Sequence, residues 1–339
     1  MMKGCFERGS VLVRLPGFIC LALIVVMACG REEGAPPPPR ALVTNSLFDV
    51  FLVDSKTGWA AGKLGMIAAT TDGGLLWQAQ KSITDCNLRG IYFLNEKAGW
   101  IVGDLGTVLL TVNAGQEWIL QESGTKKHLR DVYFFDRDRG LIVGEKGAVL
   151  VTDNGGKAWK EREDLREFFT VEDSSFLAAL FGICFVDDKT GWIAGDYGTI
   201  LHTKDGGETW GKQESGTDSL LMDIYFIDQT TGWAVGEFGT VIHTSDGGKS
   251  WQAQESGTSY LINGLACSDS QNCLAVTYGN MLRTGDGGAS WESIVDDKQM
   301  WFYGIDGVGK DSIWVAADYG EILHSSDGGK HWTTQIPWE

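Results

Sequence analysis

The chain has 339 residues, of which 43% are hydrophobic and 22% charged, the composition of a folded protein with a large core rather than of a disordered or collagen-like one. Lys and Arg number 28 against 45 Asp and Glu, and the net charge of −17 sets phosphate backbones against the protein and excludes nucleic acid as a natural partner. The 46 Gly and 14 Trp against 6 Pro point to a short unit of turns and tryptophans copied many times.

The first 28 residues have the layout of a signal peptide. Lys3, Arg8 and Arg14 outweigh Glu7, and the apolar stretch from Leu15 to Ala28 is too short to span a bilayer comfortably. Its end, Val26-Met27-Ala28-Cys29, resembles a bacterial lipobox, which implies cleavage before Cys29 and acylation of its thiol, with several lipid chains making a stable anchor. Residues 29–46, with Pro36 to Pro39, read as an extended tether. Gly30 after that cysteine favours the outer membrane over the inner. The exported part is more acidic than the whole chain, because the signal carries more positive than negative charge.

From residue 47 a turn of the form Ser/Thr-x-Asp/Asn-x-Gly-x-x-Trp recurs seven times, ending at Trp77, Trp118, Trp159, Trp210, Trp251, Trp291 and Trp332. Eighteen residues before these lie Trp59, Trp100, Trp192, Trp233 and Trp314, with Leu141 and Cys273 in the other two copies. Trp301 and Trp338 fall outside the period. Each unit reads as four short strands; in the second copy these are Ile91 to Leu94, Trp100 to Val102, Val108 to Thr111 and Trp118 to Leu120. Four strands per unit of about 40 residues predict an all-β, seven-bladed propeller of four-stranded antiparallel blades over 47–339, with the recurring turn between strands three and four. How the ring closes is not legible, since the last copy is complete and residues 41 to 46 make a poor extra strand.

Thr203-Lys204-Asp205-Gly206-Gly207-Glu208-Thr209-Trp210 resembles the Asp-box of sialidase-type propellers. Combined with an upstream Gly-Trp-x-x-Gly-x-x-Gly-Thr, as in Gly232 to Thr240, the unit resembles the photosystem II stability and assembly factor family and its bacterial relatives. That resemblance implies a non-catalytic scaffold that grips another protein during assembly or maintenance of a membrane complex. The photosynthetic members carry an arginine-rich face, whereas the corresponding turn residues here are Leu64, Leu105, Lys146, Tyr197, Phe238, Tyr278 and Tyr319.

The recurring acids Asp72, Asp205, Asp246, Asp286 and Asp327 share their position with Asn113 and Asn154, so hydrogen bonding within the turn, not acid/base chemistry, is what the position requires. No arginine triad, paired carboxylates or metal-spaced histidines stand out. His202, His243 and His324 occupy one strand position, so no enzyme activity, metal or cofactor is expected. Cys267 and Cys273 flank a hairpin and predict a disulfide standing in for the packing of Trp elsewhere, while Cys86 and Cys184 are expected to be unpaired and buried.

Candidate binding residues lie where the copies diverge. The inner turn residues Tyr197, Phe238, Tyr278 and Tyr319 should form an exposed aromatic arc with acids between them. The single insertion, near Glu161 to Ala179, adds Phe168, Phe169 and Phe176 to that face. Arg89 and Arg130 share the start of strand one, where other copies have Phe48, Phe181, Met222, Ile262 and Tyr303. They would hold a carboxylate or phosphate, or pair with Asp131 or Glu122. The expected protein is a monomeric, lipid-anchored, periplasm- or outer-membrane-facing scaffold for a membrane-associated client. The alternative is a carbohydrate-binding or glycoside-cleaving propeller that uses the arc as a sugar platform.

Overall fold

The computed structural model describes residues 45–170 and 177–335; the signal, Cys29 and most of the tether, as well as Phe176 and Trp338, lie outside the described residues. Among the described residues five sheets have four antiparallel strands each and one has six. Blade one runs Leu47–Leu52, Gly58–Gly62, Ile67–Thr70 and Gln78–Ala79 from the ring's centre outward, and blades two to five repeat this order. The six-stranded sheet carries blades six and seven. Its long strand Cys273–Thr284 pairs first with Ile262–Cys267 and then with the start of Glu292–Val308, whose later residues pair with Ser312–Ala317 as the innermost strand of blade seven. Second strands such as Gly58–Gly62 and Gly99–Gly103 are buried along their whole length, as central strands between two neighbouring blades must be.

The two tryptophan series build the seams between blades. Trp59, Trp100 and Trp192 lie flat on Phe93, Phe134 and Phe226 of the next blade, each with centroids 3.5 Å apart, and those phenylalanines meet the Asp-box Trp118, Trp159 and Trp251 edge-on at 5.8 to 6.1 Å. Glutamines of the outer strands stitch the same seams. Gln80, Gln121, Gln213 and Gln254 each donate to a carbonyl in the next blade's Asp-box at 2.8 to 2.9 Å.

Each stacked phenylalanine also covers a glycine of its own hairpin. A Cβ at Gly99 would lie 2.5 Å from the Phe93 ring, so the pair tolerates only glycine. In blade six both partners are exchanged. Cys267 pairs with Cys273 in the register that Phe93 and Gly99 hold in blade two, and the two form a disulfide packed beneath Trp233. This corrects the expected alignment: Cys273 stands at the glycine position, and Leu274 takes the place of Trp100. The bridge replaces a phenylalanine over a glycine, not a tryptophan.

Among the described residues the ring closes without strand exchange. Blade seven docks on blade one through Trp77 Nε1 donating to Gln335 at 3.1 Å, an edge-on contact of Trp77 with Trp314 at 5.7 Å, the Leu52 amide donating to Asp306 at 2.8 Å and Ser46 donating to Asp318 at 2.6 Å. The insertion after blade three begins as a 3-10 turn, Glu163–Phe169. Phe169 is buried against Leu165, Leu180 and Leu201 and Phe168 is half-buried beside it, so the insertion plugs the seam between blades three and four. The placement of these two phenylalanines on a binding face is therefore corrected: their rings fill a gap that shorter linkers close elsewhere.

Candidate functional site

One face of the ring carries the turns between strands two and three together with the links between blades, as the close approach of Gly65 to Thr84, Gly106 to Thr125 and Gly239 to Thr258 shows. Six of the seven turns hold their second inner residue at positive φ: Leu64, Leu105, Lys146, Tyr197, Phe238 and Tyr319, between 54° and 59°. The left-handed region costs a non-glycine residue about 1 to 2 kcal/mol. Five of these six are apolar, and their side chains are 54% to 71% exposed. Burial returns little of that cost, so stability does not account for them. Tyr278 departs from the expected arc. It is half-buried, has no positive φ and pairs across the sheet with Trp301. The acids beside these residues do not stand between the rings either, because they turn back to their own innermost strand. Asp104 accepts from Arg89 at 3.1 Å and from Asn87 at 2.8 Å, Glu145 from Arg130, Asp196 from the Ala179 amide and Asp318 from the Trp301 amide.

The innermost strands of all seven blades line a central cavity of 370 Å³. At its mouth stand Phe48, Arg89, Arg130, Phe181, Met222, Asn263 and Tyr303; Asn263 occupies the position expected for Ile262, which is buried in the seam. Arg89 lies 4.6 Å over Phe48 and Arg130 5.5 Å over Phe181. Their acidic partners are Asp104 and Glu145, in place of the expected Asp131 or Glu122. Burial would raise the Asp104 carboxyl, but the bonds from Arg89 and Asn87 hold it below the ordinary value.

One residue deeper, the strand position reads Asp49, Gly90, Asp131, Gly182, Asp223, Gly264 and Gly304 around the ring. Each aspartate accepts from the next amide of its own strand and from the neighbouring blade: Asp49 from Ile91 at 2.9 Å, Asp131 from Ile183 at 2.7 Å and Asp223 from Leu265 at 2.8 Å. In the alternate seams glycine lets the backbones close up; a Cβ at Gly90 would meet the Arg130 carbonyl oxygen at 2.6 Å and Asp131 Cα at 2.9 Å. Seven is odd, so the alternation fails once, and Asp306 two residues further along bridges blade seven to Leu52. Burial pushes Asp131 up to about 7 and Asp223 and Asp306 up to about 6, with Asp49 raised well above its ordinary value. This ring escaped the sequence reading, although comparing the copies column by column at strand one displays it.

The Asp-boxes, by contrast, are internally satisfied turns. Asp72, Asp205, Asp246, Asp286 and Asp327 accept from the amide four residues on at 2.9 to 3.0 Å, and Asn113 and Asn154 do the same at 3.0 and 2.9 Å. Hydrogen bonds from Ser250 and Ser290 draw Asp246 and Asp286 down to about 2. His202, His243 and His324 pack against Trp192, Trp233 and Trp314. Cys86 and Cys184 are free and half-buried rather than buried; Cys184 lines the cavity, and its sulfur accepts from the Phe226 amide of the next blade. Among the described residues no group of three or more His, Cys, Asp or Glu has metal-binding geometry, and no helix is long and apolar enough to cross a membrane.

The family model for the photosynthesis system II assembly factor YCF48 matches residues 40–121, 110–216 and 209–337. The chain belongs to the YCF48 family. Among solved structures it is similar to YCF48 bound to a D1 peptide, at 20% identity and a TM-score of 0.68 over 85% of this chain and 94% of that one. It is also similar to YCF48 from Cyanidioschyzon merolae, at 21% identity and 0.68 over 86% and 97%. A GH74 xyloglucanase from Xanthomonas campestris, at 12% identity and 0.69, shares the propeller over 88% of this chain and 55% of its own length. No curated protein matches the chain. At these identities the structural likenesses carry the fold, while the matched family model carries the membership.

Proposed function

We propose that this YCF48-family propeller is a non-catalytic scaffold that grips a protein client through its turn face, in assembly or maintenance of a membrane or envelope complex. The supporting observation is the set of exposed apolar side chains on left-handed backbone, Leu64, Leu105, Tyr197, Phe238 and Tyr319, which hold strain without burial in the free protein. A YCF48 structure with a bound D1 peptide supports a polypeptide as the class of ligand. In the same proposal the chain is exported, acylated at Cys29 and held as a monomer at a bacterial membrane by residues 29–46, which places it beside membrane-embedded clients.

The test is in-cell crosslinking and capture from membranes, comparing wild type with a Tyr197→Asn, Phe238→Asn and Tyr319→Asn variant, since Asn tolerates the left-handed region. A membrane-complex subunit captured by wild type and lost in the variant is the expected result. Equal capture by both, or saturable binding of a soluble oligosaccharide abolished by the variant, overturns the proposal. Intact-mass measurement of the membrane form tests Cys29, and an unmodified mature N-terminus refutes the anchor.

A further inference from the structure

Trp301 is a tryptophan that the repeat does not require, and the structure gives it a particular neighbourhood. After blades one, two, four and five the link to the next blade is a tight Ser-x-Thr turn, closed for example by Ser123 donating to the Thr125 carbonyl. After blade six that turn is missing. The chain continues as strand, and Trp301 pairs with Tyr278. This pulls Tyr278 out of the rim and starts a continuous row of rings. Tyr260 meets Tyr278 at 5.6 Å, Tyr278 meets Trp301 at 4.6 Å, Trp301 meets Tyr303 at 6.3 Å and Tyr303 meets Phe48 at 5.2 Å. Asp318 fixes the row by accepting from the Trp301 amide and the Tyr303 hydroxyl, both at 3.0 Å.

The row runs from the exposed Tyr260 inward to the cavity mouth and ends on a cation, since Arg89 lies over Phe48. The two guanidiniums there are only partly used. Arg89 gives Nε and Nη2 to Asp104 and Arg130 gives Nη2 to Glu145, while Arg130 Nε is buried with no acceptor. A buried donor without a partner destabilises the free protein, and a carboxylate is the group whose paired oxygens suit guanidinium donors. The rings are inclined to one another at 72°, 46°, 17° and 85°. Three of the four pairs, all but Trp301–Tyr303, are thus tilted and present notches between ring edges, which suit apolar side chains spaced along an extended chain better than the flat faces of sugar rings.

We propose that this aromatic row and the Arg89–Arg130 pair form a peptide subsite, which takes an extended client segment carrying one carboxylate side chain among apolar residues. The assignment rests on the protein-binding reading and specifies where and what it binds. Apolar side chains of the segment lie in the notches between Tyr278 and Trp301 and between Tyr303 and Phe48, and the carboxylate accepts from the guanidinium donors that Asp104 and Glu145 leave free.

The test is selection of displayed random twelve-residue peptides, fused at both ends so that no terminal carboxylate is present, on the wild-type propeller. Enriched peptides are expected to carry a single Asp or Glu flanked by aliphatic or aromatic residues. Their affinity should fall about tenfold or more, which is about 1.4 kcal/mol, in Trp301→Ala and in Arg130→Met, and stay unchanged in Leu75→Ser, an exposed position on an Asp-box turn. Arg130→Met keeps the apolar stem over Phe181 and serves as the folded control, checked by an unchanged thermal melt. Enriched peptides without an acid, wild-type affinity in both variants, no enrichment at all, or polygalacturonate binding that the same variants abolish would each overturn the subsite. If rim-dependent capture of a membrane subunit holds while these variants behave as wild type, only the subsite falls; if that capture fails, the parent reading falls.

Discussion

The cysteine pair of blade six offers a quantitative test of how the seams are packed. In blades two to five a phenylalanine covers a glycine, and a Cβ at Gly191 or Gly232 would lie 2.4 or 2.5 Å from its ring. Cys267→Phe alone should therefore lose the bridge and force the new ring onto the Cys273 side chain. A bridge closing a loop of separation 6 contributes about 2 kcal/mol by the chain-entropy relation. Overpacking adds about 1 to 3 kcal/mol, so the single variant should lose about 3 to 5 kcal/mol. The double variant Cys267→Phe, Cys273→Gly rebuilds the arrangement of blade two. It loses the bridge but gains a buried ring, about 1.5 to 3 kcal/mol, stacked on Trp233, and so should lie within about 1 kcal/mol of wild type. Urea unfolding followed by tryptophan fluorescence reads both, and both variants, unlike wild type, should be insensitive to reductant. A double variant no more stable than Cys267→Phe would refute the reasoning, because the second change would then have relieved nothing.

Other consequences follow from the cavity and the rim. Because burial raises Asp131, Asp223 and Asp306, the folded state binds more protons than the unfolded chain between pH 4 and 7. Their stabilising contribution is complete below pH 4 and lost as pH rises through 6 to 7, so the urea midpoint should be higher at pH 5 than at pH 8, and Asp131→Asn should flatten that slope. The Asp-box carboxylates act in the opposite sense only below pH 4. Gly90→Ala places a Cβ against backbone and should cost about 1 to 3 kcal/mol by thermal melt, whereas Gly182→Ala, with its nearest contact at 3.2 Å, should cost less. Asp205→Asn should leave the melting temperature unchanged, as Asn113 and Asn154 already serve, while Asp205→Ala should lower it. Phe238→Gly should match or exceed wild-type stability while weakening client capture, since it releases left-handed strain at a side chain that buries little.

The tryptophan period, the Asp-box and the runs of four strands were enough to define the ring, because each is a local pattern whose spacing survives seven copies. The cysteine pair was legible for the same reason, but its register was not. Blade six is shorter by one residue than its neighbours, and only strand pairing shows that Cys273 takes the place of a glycine. The rim was partly legible: Tyr197, Phe238 and Tyr319 are exposed on the turn face, whereas Tyr278 is drawn inward by Trp301, a partner 23 residues away that no repeat position announces. Arg89 and Arg130 were found by their shared column, yet their partners Asp104 and Glu145 come from the neighbouring turn. Phe169 looked like a loop residue and is core. Composition and spacing determine which residues repeat, since strand and turn preferences act over a few neighbours. Which acids face the rim, which rings touch and how blade seven meets blade one depend on contacts across seams between residues tens to hundreds of positions apart, and only the closed ring supplies them.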